Sequence, residues 1–85
     1  MNYSIDILPR ALKELEKIPN SFYRKIKNTI DDLENAPRPV RTTKLKGHEH
    51  RWRIRVGDYR ILYEIHDETK SVIVFRVRHR KEAYR

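Results

Sequence analysis

Between Arg51 and Ile65 the chain reads RWRIRVGDYRILYEI. Arg51, Arg53 and Arg55 alternate there with Trp52, Ile54 and Val56. A strand of this pattern turns three guanidinium groups to one face and three apolar side chains to the other. Arg60 follows just past Gly57-Asp58, and Arg76 and Arg78 recur at the same two-residue step near the end of the chain. Guanidinium stays protonated at working pH and offers its donors in a planar fork that fits phosphate oxygens. Such a group stabilises negative charge and makes a poor base. A purely structural sheet gains nothing from a row of like charges, so an anion is the expected occupant of that face.

The elements that must position these residues can be read in order. Tyr3, Ile5 and Ile7 alternate with polar residues and predict a short strand over 2–7. Pro9 suits the first turn of a helix, and Ala11, Leu12, Leu15 and Ile18 recur at helical spacing. Pro19 ends that helix, and Asn20 or Ser21 is positioned to cap a second one. Phe22, Ile26, Ile30 and Leu33 form its apolar stripe, and Asn35 and Pro37 stop it. Residues 36–50 read as a loop anchored by Leu45. The hairpin follows, with Gly57-Asp58 as a two-residue turn. Residues 66–70 form a polar turn, and SVIVFRVRHR is a last strand, with Ile73, Phe75 and Val77 on one side and Val72, Val74, Arg76 and Arg78 on the other.

The expected fold is therefore α+β: an N-terminal strand, a helical hairpin, then a three-stranded antiparallel meander, with the helices packed on one sheet face. That face is expected to carry Trp52, Ile54, Tyr63, Ile65, Phe75 and Val77. The opposite face is left open and floored by Arg53, Arg55, Arg60, Leu62, Arg76 and Arg78.

Eighty-five residues suffice for one small domain, 1–85. There is no cysteine, which excludes a disulfide framework and a Cys-based zinc site. No apolar run approaches the ~20 residues that span a bilayer. The first ten residues lack the pattern of a signal peptide, so a cytoplasmic protein is expected.

The net charge of +8 is unevenly placed. Residues 1–37 carry six basic and six acidic side chains, whereas residues 38–60 carry eight and two, and residues 76–85 five and one. A focused positive field draws in polyanions, and nucleic acid is the leading partner class. The open arginine face suits a single or splayed strand better than a duplex groove. The helices are the neutral part of the chain, which argues against a basic recognition helix.

KLKG at 44–47, WRIRVGDYRILYEI at 52–65 and VIVFRVRHRKEAYR at 72–85 together resemble the RelE/ParE superfamily of toxins from type II toxin–antitoxin pairs, and the closing HRKEAY resembles its RelE side. The resemblance covers nearly the whole chain. It implies a ribosome-dependent endoribonuclease that cuts messenger RNA in the decoding site without a metal or other cofactor. In that chemistry the ribose 2′-hydroxyl attacks the neighbouring phosphate and expels the 5′-oxygen. A base must take the hydroxyl proton, cations must hold the phosphorane charge, and an acid must protonate the leaving oxygen.

By the same resemblance, Arg55, Arg60 and Arg80 hold the phosphate and Tyr84 is the favoured base, with His79 a second candidate proton carrier. Arg53, Lys44, Lys46, Arg76 and Arg78 are implied RNA contacts. Arg53 and Arg55 stand where well-known members carry lysines. That departure removes a lysine acid–base role from the hairpin and shifts proton transfer to Tyr84 or His79. The implied partners are message in the decoding site, an antitoxin offering an acidic amphipathic segment, and operator DNA through the antitoxin alone. Two further functions stay open at this level: a ParE-like, non-catalytic inhibitor of DNA gyrase, and an inactive module that holds RNA or an acidic partner.

Overall fold

The structure, a computed structural model, describes residues 2–83, with side chains through Lys81. The first strand, β1 (Ser4–Ile7), leads into helix α1 (Pro9–Glu16). Pro9 occupies the start of α1, where its missing N–H costs nothing. Ala11 and Leu15 are buried on its inner side, and Ile18 is buried just beyond its end. Helix α2 (Asn20–Asp32) starts immediately after Pro19.

The cap expected from Asn20 or Ser21 is not made. Pro19 itself is the boundary residue, with φ −56° and ψ 145°. Its carbonyl accepts the N–H groups of Phe22 and Tyr23 at 2.9 and 3.0 Å. The proline ring sets the extended corner, so the helix begins one residue earlier than a side-chain cap would allow.

Four strands follow: β2 (Thr42–Lys44), β3 (Arg51–Val56), β4 (Tyr59–His66) and β5 (Ser71–His79), then a single turn of helix, α3 (Arg80–Ala83). The sheet order is β1-β5-β4-β3-β2. β1 runs parallel to β5, and the remaining pairs are antiparallel. The α+β architecture and the meander are as the sequence predicts. β2 is an addition within the segment expected to be loop. Three residues are too few to show alternation, and Thr42-Thr43 is anchored from outside, by pairing with β3. The Tyr63 hydroxyl, 3.0 Å from Thr42 Oγ1, donates to the Pro37 carbonyl at 2.9 Å and ties this edge down.

The core lies between the helices and one sheet face. Ile26, Ile30 and Leu33 of the α2 region meet Ile54, Ile61, Tyr63, Ile65, Val72 and Val74, all essentially inaccessible to water. Trp52 packs against this cluster from its margin.

One part of the expected core is corrected. β5 buries Val72, Val74 and Val77, not Ile73, Phe75 and Val77. Tyr63 pairs with Val74 and the adjacent Leu62 with Arg76, which leaves Phe75 as an extra residue in β5. A bulge of this kind shifts the alternation by one. Val72 and Val74 therefore face the core before it, and Val77 faces the core after it. Phe75 turns to the arginine side, 4.6 Å beneath the guanidinium of Arg51.

At the hairpin tip, Gly57 has a φ of +59° and is the turn residue that needs left-handed freedom. Phe22 of α2 leans over this turn, its ring 5.7 Å from that of Tyr59.

Candidate active site

Strand register gathers the arginines. Arg55 of β3 lies directly opposite Arg60 of β4, and Arg60 lies opposite Arg78 of β5. Three guanidinium-bearing residues thus form one row across the central strands, at the end of the sheet that carries the Gly57 turn. Like charges placed opposite one another cost stability in a sheet. Arg60 is the middle member and is only 8% exposed, so the sequence expectation that it lies open is corrected. It is sunk between two neighbours because β4 is the central strand of the five.

The last member arrives by a backbone contact. The Arg80 N–H donates to the Asp58 carbonyl at 2.7 Å, docking the start of α3 on the hairpin turn. Arg55, Gly57, Asp58, Tyr59, Arg60 and Arg80 then line a small pocket of about 80 Å³. Its cations are arginines, which hold phosphate oxygens in pairs and stay charged throughout a reaction. The arrangement can bind and polarise a phosphodiester, but proton transfer has to come from elsewhere.

The other sequence-predicted residues are dispersed. Arg53 lies on the arginine face opposite Leu62, and Arg78 is half-buried beside Arg60. Arg76 is directed to α1: its Nη2 and Nε lie 2.9 and 3.0 Å from Glu14 Oε2. Glu14 Oε1 also accepts the Val77 N–H at 2.7 Å, at a stretch of the β5 edge that β1 does not reach.

His79 pairs with Tyr59, on the helix-packed side of the sheet, with the two rings edge-to-face at 5.1 Å. Its Nδ1 accepts the Lys81 N–H at 3.2 Å. With Glu14, Lys17, Ile18, Tyr59 and Val77 it lines a second pocket of about 200 Å³. Tyr59 lines both pockets and separates His79 from the arginines. Lys44 lies 6.0 Å over the Trp52 ring, and Lys46 is exposed in the loop beyond β2. Tyr84 lies outside the described residues.

Arg51, the first of the alternating three, is already paired, with its Nε 3.2 Å from Glu64 Oε2. His66 lies 3.0 Å from the other oxygen of Glu64. That hydrogen bond, with Arg51 beside it, holds the Glu64 carboxyl below its usual range.

Arg41 is a residue that sequence reasoning did not single out. It stands just before β2, on the arginine side, and its Nη1 donates to the Arg55 carbonyl at 3.3 Å. Its relation to Arg55 depends on the register of a three-residue strand, which no periodicity announces. The only local signal was its charge.

The family model described as the ParE toxin of the type II toxin–antitoxin system parDE matches residues 5–84. The mRNA interferase toxin RelE of Escherichia coli K12 is 32% identical over 88 residues, covering 99% of this chain and 92% of its own. Toxin RelE3 of Methanocaldococcus jannaschii is 35% identical over 77 residues, covering 86% of this chain and 85% of its own. The archaeal RelE–RelB complex from Pyrococcus horikoshii OT3 matches in structure with a TM-score of 0.84 at 29% identity, over 94% of this chain and 97% of that one. The helical hairpin, the five-stranded sheet and the arginine row at its end are thus the features of a chain that belongs to the RelE/ParE superfamily of type II toxins, on its RelE-like side.

Proposed function

We propose that this chain, as a single toxin domain over 1–85, is an endoribonuclease that cuts messenger RNA on the ribosome and is silenced by a cognate antitoxin. The observation that carries the reading is the row Arg55–Arg60–Arg78 with Arg80 docked beside it. The relative that spans nearly the whole chain is named an mRNA interferase, which supports cleavage over non-catalytic binding of gyrase.

In this reading Arg55, Arg60 and Arg80 hold the scissile phosphate and stabilise the charge that builds on its oxygens as the 2′-hydroxyl attacks. The 2′-oxygen forms a bond to phosphorus while the bond to the 5′-oxygen breaks. One proton leaves the 2′-hydroxyl and one reaches the 5′-oxygen. Tyr84 is the group proposed for the base role, since the arginines cannot lose a proton at working pH and His79 lines the pocket on the helix-packed side.

The partner of the free toxin is an antitoxin with an acidic amphipathic segment, consistent with the toxin–antitoxin complexes that match this fold. Operator DNA is engaged only through that antitoxin. Among the described residues no helix is long and apolar enough to cross a membrane, and a cytoplasmic site of action belongs to the same reading.

The test is induced expression followed by mapping of transcript ends. Translation should stop, and messages should be cut within codons. A replication block with intact messages would instead favour gyrase inhibition.

A further inference from the structure

Beside the first arginine pocket lies a larger one of about 360 Å³, lined by Arg41, Thr43, Arg53 and Arg55. Thr43 of β2 is opposite Arg53 of β3 in the register, so both face the arginine side of the sheet. Arg41 reaches the same space from the residue before β2, held by its hydrogen bond to the Arg55 carbonyl. That bond uses one of five guanidinium donors. Arg55 lines both pockets.

The charge in this second pocket is not neutralised internally. Among the described residues, the ion pairs of lysine and arginine take up Lys27, Arg38, Arg51 and Arg76. Arg41, Arg53 and Arg55 are in none of them. Three like charges around one space, two on β3 and one just before β2, cost stability unless an anion joins them. Arg53 and Arg55 stand two residues apart on β3, about 6.6 Å at the usual rise of a strand. Consecutive phosphates of an extended single strand are spaced similarly.

We propose that Arg41, Thr43, Arg53 and Arg55 form a second phosphate subsite, which holds the phosphate next to the cleaved one on the same RNA strand. This rests on the reading of the first pocket as the cleavage site. The arginine face then becomes a two-phosphate track that runs from the Gly57 turn towards the β2 edge. Thr43 supplies a hydroxyl donor, and Arg41 adds a third guanidinium from the β2 edge.

The experiment uses the full chain with two non-cleavable 2′-deoxy oligonucleotides, a dinucleotide with one phosphate and a trinucleotide with two, titrated over a range of salt. The wild-type chain should bind the trinucleotide at least about fivefold more tightly, with a salt slope steeper by about 0.7 for the extra phosphate. Arg41→Ala should lose that advantage and that slope, while its affinity for the dinucleotide stays within about twofold. Arg41→Lys should keep most of the slope, because the charge remains. Thermal melts of each variant establish that the fold is intact.

Equal affinity of the wild type for the two oligonucleotides overturns the subsite, as does an Arg41→Ala variant that keeps the full trinucleotide advantage. Message cleavage is assayed in parallel. Cleavage by a wild type that has no Arg41-dependent advantage removes the subsite and leaves the nuclease standing. An Arg41-dependent advantage without cleavage supports the subsite and removes the nuclease.

Discussion

At the scale of single residues, the arginines divide by what already holds them. Arg51 has Glu64 and the Phe75 ring, and Arg76 has Glu14. Arg55 and Arg80 line a pocket with Arg60 instead. Arg80→Ala should therefore lower message cleavage by about tenfold to a thousandfold, the usual effect of losing one donor to a transition-state charge. Because Arg80 is exposed, its melting temperature should stay close to that of the wild type. Arg60→Ala is a different experiment. Its site is buried, so loss of cleavage should come with loss of stability, and single-turnover rates need a denaturation curve beside them. Tyr84→Phe addresses the base. A large drop in the single-turnover rate assigns proton abstraction to Tyr84, and an unchanged rate moves it to another group or to water.

At the scale of elements, the hairpin's two faces were legible because the alternation in RWRIRV is strict and each face has one chemistry. The last strand was not legible in the same way. Val72 to Phe75 is a continuous apolar run, and such a run carries no parity. The bulge at Phe75 is set by pairing with β4, so it has no local sign. The same limit hid β2 and, with it, Arg41. Of the candidate site, Arg55, Arg60 and Arg78 could be assigned to one face. That they form a single row could not, since a row depends on register across three strands.

The clamp between α1 and β5 was also invisible, because Glu14 and Val77 are 63 residues apart. Glu14→Ala removes an acceptor from the Val77 N–H and leaves Arg76 half-buried without its partner. It should destabilise the fold by about 2–3 kcal/mol in denaturant titrations. Ile30→Ala, in the centre of the α2 stripe, should cost about 2–5 kcal/mol. A loss below 1 kcal/mol at Ile30 would contradict the packing described here.

At the scale of the whole molecule, one ionic hub closes the far end of the sheet from the arginine pocket. Asp67, in the β4–β5 turn, accepts the Tyr3 hydroxyl at 2.6 Å and both terminal nitrogens of Arg38 at 3.2 and 2.7 Å. The Arg38 hydrogen bonds, with that of Tyr3, lower its pKa to about 2. A carboxyl depressed in the folded state stabilises the fold above its unfolded pKa, near 4. That contribution fades as pH falls from about 4 to about 2. Thermal melts across this window should show a fall that is smaller in Asp67→Asn. Because the pair is exposed, added salt should reduce the difference.

The charge map acts at this scale too. The positive excess is concentrated in the hairpin and the last strand, and an acidic antitoxin segment should bind there with affinity that falls as salt rises. Neutralising that segment's carboxylates should weaken the complex, and salt-insensitive binding would argue against this mode.

The central claim is that the docked arginine pocket cuts message, and single-turnover cleavage of ribosome-bound message tests it most directly. The wild-type chain should cut within the decoding-site codon, and folded Arg80→Ala should do so at least about tenfold more slowly. Intact message with the wild type, or an Arg80→Ala variant that cuts at the wild-type rate, would contradict it.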